Sequence, residues 1–307
     1  MAESFAAVPL PTMGPGGDRA ALVDGMVRWL TSPAMTALLD AFGLPPLPKA
    51  SPADRLAAID QYAERWDYRK GTERDQLEHE IVPPALDALI RATTTALGLA
   101  GRQTPSSAAY DHVLVLGGGV RTMMARASLA SDVIRSGVLT STVAGLGTMR
   151  ALRGQGEEIT RSLGLRPCPT EADAIHEVLR ATLHLDGPWT SRAGPDWWVR
   201  SYSDALPPVH VLAAPSTRPG FRATTADTFT GWAQLVAPNP GGTRLLLVTT
   251  DMFVPFQHCD AVRVLGLGFG CTVDTVGCST ASARTFEVLQ ELRSAIRSMR
   301  ALYLTLP

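Results

Sequence analysis

Between residues 112 and 277, short apolar runs alternate with helix-like segments, and no other feature of this chain constrains its fold so tightly. The runs are HVLVLG (112–117), STVAGLG (141–147), VHVLAA (209–214), RLLLVTT (244–250) and CTVDTVG (271–277). Apolar spacing between and after them predicts helices over 122–136, 170–184, 225–236, 256–266 and 280–302. Parallel strands must be joined by a covering crossover, so this alternation means βαβ units. The runs carry no polar alternation, as strands buried on both faces do not. The expected fold is α/β: a doubly wound, mostly parallel, Rossmann-like sheet of about five strands.

The first hundred residues read differently. DRAALVDGMVRWL places Leu22, Met26 and Leu30 four apart behind Asp18 as N-cap, and SPADRLAAIDQYAERW repeats that grammar with Ser51 as N-cap and Pro52 at the first helical position. A third helix is predicted over 73–97, restarted at Pro83-Pro84. The organisation that follows is a flexible arm (1–17), an all-helical segment (18–105) and an α/β domain (106–307). One stretch breaks the alternation: 186–208 holds three of the six tryptophans and few periodic apolar positions. A loop of that length is usually functional, so the insert is read as either a folded lid or a homo-oligomer contact.

Composition closes off several functions. Of 307 residues, 45% are hydrophobic and the formal net charge is −1, which gives a real core and no global basic field for nucleic acid. The apolar runs fall well short of the ~20 residues that span a bilayer, and the start lacks a secretory signal pattern, so a cytoplasmic protein with no membrane partner is expected. The four cysteines form no C-x-x-C pair, and no metal is expected.

In an open parallel sheet, ligands bind at the carboxyl ends of the strands. The stretch VLVLGGGVRTMMAR places Gly117, Gly118, Gly119 and Arg121 there, where backbone can approach a ligand closely or make only a tight turn. Gly145, Gly147 and Thr148 end the second strand, and Thr249, Thr250 and Asp251 end the fourth. The dinucleotide fingerprint fails, because Thr122 stands where the third glycine belongs and no acid closes the second strand. A P-loop and a G-x-S-x-G elbow are also absent. Asp251 is the carboxylate that could hold ribose hydroxyls instead, and His258 is the one histidine at a strand end; these two are the catalytic candidates. His176 and His184 share a helix and are assigned surface or packing roles. In ERWDYRKGTERDQ, either a solvated connection or a substrate grip by Arg69, Lys70 or Arg74 is open.

Several segments in order, the glycine-rich first strand, the glycine turn after the second, TEADA, TTADT and LLLVTT, resemble the YdcF-like family, which includes SanA and ElyC. The resemblance covers residues 110–278. Gly145, Glu171 and Ala172 match its motifs, and Thr225, Asp227 and Thr228 match loosely. Thr230 and Gly231 stand where the family has Glu and Asn, and Phe253 and Phe256 where it has His and Arg. What the resemblance implies is a Rossmann-like small-molecule domain binding S-adenosylmethionine, with Glu171, Asp227 and Thr228 joining Gly117, Gly118, Gly119, Arg121, Gly145, Thr148 and Thr249 in the cofactor site. The expectation is an enzyme with a nucleotide-like cofactor and group-transfer chemistry. The alternatives are a hydrolase or transferase of a phosphorylated or carrier-linked substrate, and a non-catalytic ligand-binding protein.

Overall fold

The computed structural model describes residues 4–14, 17–44, 51–68, 82–218, 220–279 and 283–306. Along the chain run α1 (Arg19–Leu30), α2 (Pro33–Ala41), α3 (Pro52–Ala63), α4 (Pro84–Thr94), β1 (Ala109–Leu116), α5 (Val120–Arg135), β2 (Leu139–Thr148), α6 (Gln155–Ser162) and α7 (Glu171–Thr182). There follow β3 (Thr190–Ala193), β4 (Trp198–Tyr202), β5 (Val209–Ala214), α8 (Thr225–Gly231), β6 (Arg244–Thr250), α9 (Val254–Ala261), β7 (Thr272–Cys278) and α10 (Thr285–Leu304). They fall into two units, one of residues 1–102, 251–263 and 279–307, the other of residues 103–250 and 264–278. The helical unit is therefore discontinuous, and includes two stretches that the sequence pattern assigns to the α/β domain.

The α/β unit is built on one mostly parallel sheet in the order β3-β4-β5-β2-β1-β6-β7. It has seven strands rather than about five. All five apolar runs form strands, and the additional pair, β3 and β4, comes from the Trp-rich insert. β4 lies antiparallel on β5, pairing Trp198 with Ala213 and Tyr202 with Val209. Trp198, Val199 and Tyr202 are buried, so the tryptophan-bearing strand contributes to the core. β3 is four exposed residues, Thr-Ser-Arg-Ala, and carries no apolar signature of its own.

From β1 the chain winds one way through β2 to β5, then returns to β1's other side for β6 and β7. Val113, Val115, Val143, Val211, Leu246 and Val248 form one face of the sheet, in a single buried cluster with residues of α5 and α7. At ~25 cal/mol per Å² of apolar surface removed from water, this layer is the main stabilising contribution. Two glycines of β2 set how close α7 comes. A Cβ on Gly145 would stand 2.5 Å from Leu179 Cδ1, and one on Gly147 would stand 2.7 Å from the Ala172 Cα. α8 packs on the opposite face, where a Cβ on Gly231 would meet Leu212 and Ala214 at 3.3 Å.

In the helical unit, caps start the helices where the sequence places them. Asp18 accepts from Ala20 N at 2.9 Å, and Ser51 accepts from Asp54 N at 3.2 Å. α10 is largely buried, and its arginines meet acids at the end of α3: Arg300 binds Asp60 at 2.6 Å and Arg293 binds Glu64 at 2.9 Å. All four cysteines are free. No described helix is long and apolar enough to cross a membrane.

Candidate functional site

α5 begins directly after the glycines, with Gly119 in the N-cap position. Seven residues in, Arg126 turns its guanidinium back beneath the loop. Its Nη1 donates to the Leu116 carbonyl at 3.0 Å and to the Gly117 carbonyl, and its Nε donates to Thr250 Oγ1 at 3.0 Å. The group is 2% exposed and links the ends of β1 and β6, where the winding of the sheet reverses. Gly118 has φ +154°, and a Cβ there would lie 3.2 Å from Arg126 Nη1. The loop's glycines thus make room first for the protein's own groups. Sequence reasoning missed Arg126 because a lone arginine seven residues into a helix carries no signal of which way it turns.

A carboxylate occupies the other side of the same turn. Thr170 and Asp173 form a reciprocal capping box that starts α7 at Glu171, at the carboxyl end of β2. Glu171 Oε2 accepts from Thr148 Oγ1 at 2.6 Å. Its Oε1 lies 3.0 Å from the Cβ position that Gly117 leaves empty, and accepts no hydrogen bond from a described residue. The acid missing from the end of β2 is supplied from the start of α7, and Gly117, Thr148 and Glu171 come together as one half-satisfied polar cluster at the rim.

The remaining sequence-derived residues divide. Gly145 lies inside β2 under α7 and is a packing glycine, because the strand extends to Thr148 before it reaches the rim. Asp227 accepts from Thr217 N at 3.1 Å and from Thr224 N and Oγ1 at 2.6 and 2.8 Å, as the capping acid of α8. Burial works to raise its pKa, but hydrogen bonds from Thr217 and Thr224 outweigh it and hold the carboxyl below its ordinary value. Thr228 donates to the Thr225 carbonyl at 2.7 Å within the same helix. Thr249 is fully buried in β6, while Arg121 is exposed in the first turn of α5.

Asp251 and His258 belong to the helical unit. Asp251 is 3% exposed and accepts from Met252 N at 2.8 Å. His258 is fully buried, and its Nε2–H donates to the Pro11 carbonyl at 3.0 Å, an interior role rather than that of an open base at a strand end. Arg69, Lys70 and Arg74 lie outside the described residues.

Within the next turn or so of α7 is a second polar network, centred on the buried His176. Arg200 of β4 donates to Asp173 Oδ1 at 3.0 Å and to His176 Nδ1 at 3.2 Å. Since Nδ1 accepts, Nε2 carries the proton and donates to Tyr202 Oη at 2.9 Å. The Trp189 ring meets His176 edge-on at 5.2 Å, and the Arg200 guanidinium sits 3.9 Å over Trp198. Burial, then the Arg200 charge, lowers the His176 pKa to about 4. Nearby, burial pushes the Cys168 thiol up to about 11, which makes it a poor nucleophile. His176 therefore fastens the Trp-bearing hairpin to α7.

Two of the cavities at the sheet lie at opposite ends of β2 and β5. The larger, about 590 Å³, lies by Val143 and Val209 toward the amino ends of β2 and β5; His184 and residues of the Trp-rich insert line it, but none of the proposed catalytic, cofactor or substrate residues does. A groove of about 470 Å³ opens at the carboxyl ends of the same two strands and includes Thr148. Among the described residues, no cluster of three or more His, Cys, Asp or Glu is arranged to hold a metal.

Residues 13–98 match the family described as the Rv3785 N-terminal domain. The chain is 29% identical over 333 aligned positions to the uncharacterized protein Rv3785 of Mycobacterium tuberculosis, covering 95% of this chain and 92% of the relative. Uncharacterized protein Mb3814 of Mycobacterium bovis is similar to the same extent. No solved structure matches the chain.

Proposed function

We propose that the chain is a Rossmann-like, YdcF-like small-molecule enzyme. It binds a nucleotide-like cofactor across the carboxyl rim of β1 and β2, and performs group transfer on a second ligand. The observation that supports this is the Glu171 carboxylate, fixed through one oxygen by Thr148 and with the other beside the missing Cβ of Gly117. A carboxylate in that position accepts the paired hydroxyls of a ribose, as an acid at the end of the second strand does in dinucleotide-binding folds. S-adenosylmethionine, the cofactor the family resemblance implies, fits this donor set: it carries a ribose diol and a cationic sulfonium, both of which favour a nearby carboxylate. When bound, it supplies an electrophilic carbon for transfer. Glu171 would orient the ribose, and Thr148 would hold Glu171 in the acceptor geometry.

The test is calorimetric titration of the full chain with S-adenosylmethionine, S-adenosylhomocysteine and ATP, alongside Glu171→Gln. The amide keeps an acceptor for Thr148 but removes the charge, so adenosyl affinity should fall about tenfold or more with little change in melting temperature. Equal affinity in the two proteins, or no binding of any adenosyl compound, would sink this reading. Gly118→Val is a poorer probe, because its side chain would press on Arg126 and alter the fold as well as the site.

A further inference from the structure

The groove beside Thr148 opens between the ends of β2 and β5. Thr148, Arg150, Ala214, Pro215, Arg218 and Phe221 line it, and so does Arg222. Asp196 is the one carboxylate among its described lining residues. Three guanidinium groups against one acid give a local positive excess, on a chain whose formal net charge is −1.

Arg150 and Arg218 of this groove differ from the arginines that are held in ion pairs elsewhere on the molecule. Arg180, Arg200, Arg293 and Arg300 each hold a carboxylate within 3.1 Å. Arg150 uses its backbone locally, accepting from Glu171 N at 2.9 Å, while its guanidinium makes no ion pair with a described residue. Arg218 is similar: its backbone is tied to Ser216, and its guanidinium lies 5.0 Å from the Phe221 ring without a carboxylate partner among the described residues. Phe221 is 64% exposed and Met149, also on the groove, is 44% exposed. Large apolar side chains this open, next to the Arg150 and Arg218 guanidiniums that hold no carboxylate among the described residues, make a surface with two complementary needs.

We propose that this groove is the substrate subsite, and that it takes a phosphate-bearing small molecule with a flat apolar body. Arg150 and Arg218 present planar forks of donors that match phosphate oxygens, and Phe221 and Met149 cover the body. Thr148 belongs both to this groove and to the Glu171 cluster, so the subsite adjoins the cofactor rim. The inference rests on the reading of that rim as the site, and it adds the chemistry of the second ligand.

The probe is phenyl phosphate, titrated calorimetrically into the full chain, with phenol as the uncharged control. Saturable binding is expected for phenyl phosphate and not for phenol. The double variant Arg150→Gln/Arg218→Gln should weaken it by about tenfold or more, since each charge-assisted contact is worth about that factor or better. Arg161→Gln, an exposed arginine on α6 away from the groove, should leave it unchanged. No saturable binding, equal binding by the double variant, or equal binding of phenol would overturn the proposal. If adenosyl compounds still bind and depend on Glu171 in that case, the groove alone has failed. If phenyl phosphate binds through Arg150 and Arg218 while no adenosyl compound does, the rim reading has failed and the groove stands.

Discussion

Helix α7 carries two kinds of polar chemistry within two turns. At its start, Glu171 has one oxygen held by Thr148 and the other without a described partner beside Gly117. Further along, Asp173 and His176 are closed into Arg200 and Tyr202, with each ring nitrogen of His176 engaged. The difference is one of completion. A buried polar network whose groups satisfy one another fixes a unique arrangement, here the angle at which the Trp-bearing hairpin meets the sheet. A half-satisfied group at a rim is left able to accept from something else. Perturbed pKa and dense hydrogen bonding mark the closed network here, so they do not point to the open cluster around Glu171.

The largest effect should come from breaking the closed network. Asp173→Ala removes the capping acid of α7 and leaves Arg200 without its carboxylate, so unfolding free energy should fall by about 2–4 kcal/mol in urea titrations. A loss below about 0.5 kcal/mol would mean the network does not hold the hairpin. The second effect depends on pH. The folded protein holds His176 near pKa 4 against an ordinary 6.5, so between those values the unfolded chain binds a proton that the folded one refuses. The stabilising contribution is complete above pH 6.5 and is lost as pH falls toward 4. The slope from this one group is at most about 1.4 kcal/mol per pH unit. His176→Gln should flatten stability across that window relative to the parent; parallel curves would assign the acid sensitivity to other groups. The smallest effect belongs to the rim. Thr148→Val removes the donor to Glu171 Oε2 and should cost about 1 kcal/mol or less, with Thr148→Ser restoring it. If Thr148→Val proves as damaging as Asp173→Ala, the contrast between the two clusters collapses.

Much of the sheet was legible because buried parallel strands announce themselves as unbroken apolar runs: each of the five runs became a strand, within three residues at either end. β3 and β4 were not, for opposite reasons. Thr190–Ala193 is too short and polar to show a period, and Trp198–Tyr202 reads as an aromatic loop until Ala213 and Val209 are placed opposite it. The site was legible only to the level of strand ends. Glu171 could be placed at a helix start, but its position beside Gly117 depends on β1 and β2 being in register, Leu116 opposite Leu146. His258 misled because QHCDA shows the same letters whether the helix faces a ligand or the interior. Arg150, Arg218 and Phe221 are spread over 72 positions, and no local pattern joins them.

The discontinuity of the helical unit has a consequence for how the protein is made. α3 closes its acidic end on arginines of α10, and α10 is encoded after every strand of the sheet. Asp60 and Glu64 therefore leave the ribosome more than two hundred residues ahead of the cations they pair with. The N-terminal helices thus emerge before the residues that complete their ion pairs. A fragment ending near residue 102 would retain the stretch that matches a known family, yet lack the helices that complete its core. Such a fragment is a candidate for capture by chaperones rather than a freestanding module.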